Sequence, residues 1–128
     1  MTDRPEEGDV FTVERTFTKA DVRAFAEVSE DTQPRHTEPD EDGRLMVHGL
    51  LTATLPTKIG GNLEVLASRL DFHFRKPVYT GDTVTCEWDC VEVSEADGYL
   101  EVVGDITCTN QDGEVVMTAR GEGRIYDD

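Results

Sequence analysis

The chain has 128 residues, enough for one domain over residues 1–128, and its 28 acidic against 12 basic side chains give a formal net charge of −16. So negative a protein is not expected to bind nucleic acids, because their phosphates are bound through cations. The acidic residues are spread along the chain and lysines are few, which suggests adaptation to high salt. No run reaches the roughly 20 apolar residues of a membrane helix, and the polar N-terminus is unlike a secretory signal, so we expect a cytoplasmic protein without membrane contact.

The first half of the sequence predicts a strand, a helix and a long loop. Residues 10–17 alternate as a strand does, and residues 18–31 follow a helical period that begins with a capping Thr18 and an acidic Asp21 three positions later. The apolar stripe of this helix contains Val22, Phe25, Ala26 and Val28. Residues 29–47 carry two prolines, a glycine and many charges, and a loop this long in a small domain is often functional.

The second half predicts one apolar helix followed by four strands. Residues 48–61, HGLLTATLPTKIGG, repeat leucine and isoleucine every four positions, with Pro56 predicting a bend or a short second segment and the double glycine closing the helix. The period then changes to two, and the predicted strands lie within residues 66–74, 80–93, 99–108 and 114–126. EADG and NQDG predict tight hairpins. The fold class is therefore α+β, with a long antiparallel sheet wrapped around a central α-helix.

Cysteine and histidine spacing argues against a metal site. Cys86, Cys90 and Cys108 match no zinc pattern, and we expect them to be buried, reduced thiols. The histidines form no helical pair of the kind that binds zinc. We predict no metal.

The stretch SEDTQPRHTEP, residues 29–39, holds the candidate chemistry. Asp31 and His36 could face one another across a cavity and pass a proton to or from one water molecule, which is general acid–base catalysis. Alternatively, Asp31 forms a cap or an Asx turn and His36 is a solvated loop residue. Spacing alone favours the second interpretation.

Three motifs carry a family resemblance. AFAEVSEDTQPRHTEP, VHGLL and LDFHFRKPVYTGDTV occur in this order, and together they resemble the MaoC-like dehydratases and (R)-specific enoyl-CoA hydratases over roughly residues 20 to 125. The resemblance implies the hotdog fold, a homodimer or dimer of dimers, Asp31 and His36 as catalytic residues, and a thioester carbonyl bound by the N–H of Gly49. It also implies syn hydration of trans-2-enoyl thioesters of coenzyme A or acyl carrier protein to (R)-3-hydroxyacyl products, or the reverse, with no cofactor.

The sequence departs from the family signature at four positions, one of which is Glu38 in place of an aspartate. Glu30 stands in place of glycine, where it would raise the pKa of Asp31 by like-charge repulsion or point to solvent. Gln33 stands in place of asparagine, so it keeps the amide with a longer reach, and Arg35 replaces an aliphatic residue.

Further residues are candidates for substrate contact. His48 is expected to be a structural hydrogen-bonding residue at the helix start or, with Leu50, to contact substrate, whereas His73 is expected on the outer face of the sheet. Arg69, Arg75 and Lys76 cluster at a strand end, where they would bind the phosphates of the carrier or balance nearby carboxylates.

Two alternatives to a hydratase remain. A thioesterase on the same fold would use a carboxylate on the central helix, and HGLLTATLPTKI contains none. A non-catalytic acyl-thioester-binding module stays open because of the changes at positions 30, 33 and 35.

Overall fold

The computed structural model describes residues 4–127, and these residues form five strands and four helices. In chain order they are β1 (Val10–Thr16), α1 (Lys19–Ser29), α2 (Pro34–Thr37), α3 (Gly49–Thr52), α4 (Thr54–Asn62), β2 (Leu66–Phe74), β3 (Thr83–Ala96), β4 (Tyr99–Thr109) and β5 (Val115–Tyr126).

The strands form one antiparallel sheet in the order β1-β3-β4-β5-β2. Both predicted hairpins are present, and each turn ends on a glycine in the left-handed region, Gly98 at φ 88° and Gly113 at φ 77°. α4 packs on this sheet against β1, β2 and β3. The predicted α+β class, with a long antiparallel sheet wrapped around a central helix as in the hotdog fold, is confirmed.

Alternation along β3 builds much of the core. Cys86, Trp88 and Cys90 are buried on one face of the strand, and all three cysteines are buried free thiols, as predicted. Trp88 packs on the backbone of Gly104 in β4, and a Cβ at Gly104 would lie only 2.3 Å from the indole. The glycine thus provides the space that the indole occupies.

α1 begins with the predicted capping box. Thr18 Oγ1 accepts from the Asp21 N–H at 3.1 Å, and the Asp21 carboxylate accepts from the Thr18 N–H at 3.0 Å, which lowers the pKa of Asp21. The predicted stripe was wrong at Val28, which is 84% exposed. Residue 28 lies two positions beyond the buried Ala26, and a separation of two places side chains on different faces of a helix.

The central helix is broken earlier than expected. The break falls at Ala53, between α3 and α4, whereas Pro56 occupies the third position of α4. A proline costs little there, since the N–H groups of the first turn have no acceptor within the helix. The double glycine lies inside α4, which continues to Asn62.

The strand β2 stands at the edge of the sheet. Among the described strands it pairs with β5 alone, and it exposes Leu66, Leu70 and Phe74, each by more than half. His73 on the same strand is exposed, as expected. Within residues 4–127 we find no helix with the length and apolar character needed to cross a membrane. The cytoplasmic location stays a prediction.

Candidate active site

The largest cavity, of about 670 Å³, lies where the chain leaves α1 and enters α3. Asp31, His36, His48 and Gly49 line it, and Arg75 belongs to the opposite wall, just after β2. A second cavity of about 230 Å³, between α4 and the sheet, contains Glu122 as its one titratable side chain among the described residues. The first cavity brings a carboxylate and two buried histidines together, whereas the second has no such pair among the described residues.

Asp31 and His36 face one another in this cavity. Asp31 Oδ2 lies 3.8 Å from His36 Nε2, which is too long for a direct hydrogen bond and short enough for both atoms to bind one water molecule. The His36 side chain is buried and that of Asp31 is 44% exposed, so the pair spans the boundary between protein and cavity. The geometry favours the cavity interpretation over an Asx turn with a solvated histidine.

Gln33 orients the carboxylate of Asp31. Its Nε2–H donates to Asp31 Oδ1 at 2.9 Å, and this hydrogen bond is the main reason that the pKa of Asp31 lies below its ordinary value. One of the two expectations for Glu30 was that it raises the pKa of Asp31, and no such rise is found. Glu30 is exposed and takes the left-handed conformation at φ 61° that ends α1.

His36 is fixed by a backbone carbonyl. Its Nδ1–H donates to the carbonyl of Met46 at 2.7 Å, which leaves Nε2 as a bare acceptor turned toward Asp31. The short helix α2, within the segment predicted to be all loop, starts at Pro34 and carries His36 on its single turn. The N–H of Met46 donates back to the carbonyl of Arg35 at 2.9 Å, so two hydrogen bonds connect α2 with Met46.

The segment before α3 is held by the Pro-Val and Gly-Asp motif. The N–H of Val47 donates to the carbonyl of Val78 at 2.7 Å, and the N–H of Thr80 donates to the carbonyl of Leu45 at 2.9 Å. These bonds explain why the motif, although remote from Asp31 and His36 in sequence, belongs to the same site.

His48 contacts both catalytic candidates. Its ring is stacked on that of His36, with centroids 3.7 Å apart and planes inclined by 17°. Its Nε2–H donates to the backbone carbonyl of Asp31 at 3.0 Å. His48 is the N-cap residue of α3, but its side chain bonds to the Asp31 loop rather than to the helix end, and its expected contact with substrate stays a prediction.

Gly49 opens α3, so its N–H has no acceptor within that helix. The space beside its Cα is not open to substrate, because a Cβ there would lie 2.8 Å from the ring of Phe74. We therefore attribute the need for glycine to the packing of Phe74. α3 has only four residues before the break, so a free N–H, rather than the dipole of a long helix, is what this position offers.

The predicted cations separate into two groups. Arg75 and Lys76 line the main cavity, as does the half-exposed Leu50. Arg69 does not: it lies 4.0 Å from Glu122 in a different depression of the sheet surface. Arg35, which replaces an aliphatic residue of the signature, lines the main cavity instead.

Asp31, His36 and His48 also place one potential metal-ligand atom each within 4.8 Å of one another. The two imidazoles are stacked, so their lone pairs lie in nearly parallel planes, whereas the ligands of a tetrahedral metal must point toward one centre. One nitrogen of each ring also donates a hydrogen bond to a backbone carbonyl. The arrangement suits a shared water better than a metal ion.

Residues 2–111 match the model of the MaoC like domain family. The chain belongs to this family. It is 30% identical over 118 residues to a mitochondrial 3-hydroxyacyl-[acyl-carrier-protein] dehydratase of Arabidopsis thaliana, covering 86% of this chain and 70% of that protein. It is 31% identical over 100 residues to an (R)-specific enoyl-CoA hydratase of Aeromonas caviae, covering 70% of this chain and 74% of that protein.

The solved structures extend the similarity to three dimensions. The (R)-hydratase of A. caviae involved in PHA biosynthesis superposes with a TM-score of 0.79 at 29% identity, over 94% of this chain and 95% of that chain.

Two features of this MaoC-like site could not be found by reading side chains. The carbonyl of Met46 holds His36, and a backbone carbonyl leaves no mark on residue identity. Phe74 reaches the site across the sheet from an edge strand.

Proposed function

We propose that the protein interconverts trans-2-enoyl and (R)-3-hydroxyacyl thioesters by syn addition and elimination of water, as a hydro-lyase. The observation that carries this proposal is the pair of bare acceptors, Asp31 Oδ2 and His36 Nε2, 3.8 Å apart in the cavity that Gly49 also lines. Hydration and dehydration, for which the two relatives are named, are opposite directions of this one reaction.

The two acceptors explain how water would be activated. Asp31 Oδ1 is occupied by Gln33 and His36 Nδ1 by Met46, so the remaining atoms can each accept one hydrogen of a single water. A water that donates both hydrogens directs its lone pairs away from the protein, toward C3 of a bound enoyl chain. Its oxygen then bonds to C3 while one of its protons passes to the pair.

The second half of the addition places a proton on C2. As the oxygen attacks C3, negative charge moves onto the thioester carbonyl, where the N–H of Gly49 would stabilise it. The Asp31–His36 pair returns a proton to C2 from the side on which the water was held, so addition is syn. The thioester itself makes C2 reactive, and we propose that no metal or redox cofactor takes part.

The cations at the cavity support a phosphate-bearing carrier. Seven of the twelve Lys and Arg side chains form ion pairs with carboxylates among residues 4–127. Arg35 and Arg75 are two that form none there, and both line the cavity. In so acidic a protein, cations without carboxylate partners at a cavity mouth favour recognition of coenzyme A or acyl carrier phosphopantetheine.

We further propose that two copies pair through β2. One side of this strand has no neighbour within the described chain, and its exposed Leu66, Leu70 and Phe74 form an apolar edge that a second copy would cover. Phe74 belongs both to that edge and to the cavity, so pairing would bring the partner close to the site. A homodimer, or a dimer of dimers, is the resulting assembly.

Hydration of crotonyl-CoA in high salt, followed by loss of the enoyl-thioester absorbance, tests the function. We expect activity in the unaltered protein and a fall of about 10²–10⁴-fold in both Asp31→Asn and His36→Ala. Circular dichroism would show that both variants stay folded. Activity that survives in both would refute the assigned roles.

A folded protein without hydratase activity on enoyl thioesters of short or long chain would favour the binding module. Release of free thiol from acyl-CoA would favour the thioesterase, against which the described helices α3 and α4 argue because they contain no Asp or Glu. The same assays on crotonyl-pantetheine would show how much the phosphates of the carrier contribute.

A further inference from the structure

We infer that His48 is the positioning residue of the Asp31–His36 pair, because one imidazole fixes both the main chain that carries Asp31 and the ring plane of His36. The inference rests on the proposed hydration chemistry. It assigns His48 no proton transfer and no contact with the reacting atoms.

The contacts of His48 reach both catalytic groups. Its Nε2–H donates to the carbonyl of Asp31 at 3.0 Å, and one face of its ring lies on His36 at 3.7 Å. Phe25 of α1 packs against the same imidazole, with centroids 4.9 Å apart. With only 3% of its surface exposed, the ring is clamped between α1 and α2.

The hydrogen bond defines the tautomer of His48. A carbonyl oxygen only accepts, so Nε2 carries the hydrogen and, in the neutral ring, Nδ1 carries a lone pair. That Nδ1 is buried and has no hydrogen-bond partner among the described residues. A buried acceptor without a partner destabilises the fold, so a purely structural residue at this position would be expected to avoid it.

Helix capping does not explain the side chain. His48 occupies the N-cap position of α3, yet its side chain makes no capping hydrogen bond. It extends instead to a main-chain group 17 positions earlier in the sequence. Its one polar contact in the described chain thus serves the loop that presents Asp31.

The consequence concerns the distance between two acceptors. A water can be shared by Asp31 Oδ2 and His36 Nε2 only while they stay near their separation of 3.8 Å. Loss of the hydrogen bond from His48 to the Asp31 carbonyl would free the loop that carries Asp31. Loss of the stacked His48 ring would let the His36 ring tilt. A misplacement of about 1 Å can lower a rate by about 100-fold, with a much smaller effect on binding.

Two substitutions separate these contributions. His48→Phe keeps a flat ring against His36 and removes the donor, whereas His48→Gln keeps an N–H donor and removes the ring. For crotonyl-CoA hydration we expect His48→Phe to lower kcat about 100-fold while KM changes less than about threefold. His48→Gln should recover about tenfold of that loss, because the donor is restored. His73→Gln, at an exposed histidine of β2, is the matched control and should leave both constants unchanged.

A measurement on the unaltered protein does not depend on how the variants fold. Two-bond ¹H–¹⁵N correlation spectra of the histidine rings should show the Nε2–H tautomer for His48 and the Nδ1–H tautomer for His36. An Nδ1–H tautomer at His48 would overturn the inference. So would a folded His48→Phe variant whose kcat stays within about threefold of the original, or one whose loss is confined to KM.

The proposed function can fail separately. If the unaltered protein hydrates no enoyl thioester, the hydratase assignment is wrong. The ring tautomers then decide whether His48 holds Asp31 and His36 in the geometry inferred here.

Discussion

At the scale of single residues, the ionisation of Asp31 depends most on Gln33. Removal of the Gln33 amide by Gln33→Leu should raise the pKa of Asp31 toward its ordinary value, because the hydrogen bond from that amide is the largest cause of the present lowering. The carboxyl ¹³C shift of Asp31, followed against pH, measures this directly. Gln33→Asn, which keeps a shorter amide, is the control and should give a smaller rise.

The same change has a defined effect on stability. A carboxyl whose folded-state pKa is lowered stabilises the fold at pH values above its unfolded pKa, and this contribution is lost as pH falls through the folded-state value. Gln33→Leu should therefore lower the free energy of unfolding at neutral pH more than at low pH. An unchanged Asp31 titration in Gln33→Leu would show that another group sets it.

Residue identity reveals chemistry but not backbone geometry. Asp31 and His36 could be chosen from the sequence because their motif resembles that of a known family, and the structure brings them together. The carbonyl that holds His36 could not be predicted, because it depends on where the main chain runs. The lowered pKa of Asp31 could not be predicted either, because it depends on the position that the Gln33 amide takes in the folded loop. Arg69 shows the converse, since proximity in sequence to Arg75 did not place it at the cavity.

At the scale of elements, the sequence period predicted those strands and helices whose positions depend on their own residues rather than on packing. The period of two gave β3 to β5 and their hairpins, because one face of each strand is buried on the helix side. The helix break at Ala53 was misplaced because proline is a helix breaker only beyond the first turn, and where that turn begins is set by packing.

Two glycine substitutions within these elements should have opposite effects. Gly104→Ala on β4 would place a Cβ 2.3 Å from the Trp88 indole, so we expect it to destabilise the fold by about 1–3 kcal/mol or more. Gly61→Ala in α4 meets nothing within 4 Å and should stabilise it by up to about 1 kcal/mol. Urea unfolding of both variants measures the difference, and equal effects would show that Trp88 can move aside.

At the scale of the whole molecule, the edge of β2 predicts self-association. Leu66→Asp would introduce a charge into the apolar edge at a side chain that is 66% exposed, and should convert dimers to monomers in analytical ultracentrifugation. Val28→Asp is the matched control, since Val28 is 84% exposed on α1. A dimer that survives Leu66→Asp, or dissociates equally with Val28→Asp, would contradict pairing through β2.

The net charge of −16 predicts that the free energy of unfolding rises with salt. Added KCl shortens the Debye length from about 10 Å at about 0.1 M to about 3 Å at about 1 M, which removes repulsion between distant carboxylates. It also weakens the surface ion pairs, but each of these contributes only about 0–1 kcal/mol, and Asp and Glu outnumber Lys and Arg by 28 to 12. Repulsion should therefore dominate. Urea unfolding at increasing KCl measures the trend, with sucrose as a control that strengthens burial without screening charge. A free energy that falls with KCl would show that ion pairs, rather than dispersed repulsion, govern stability.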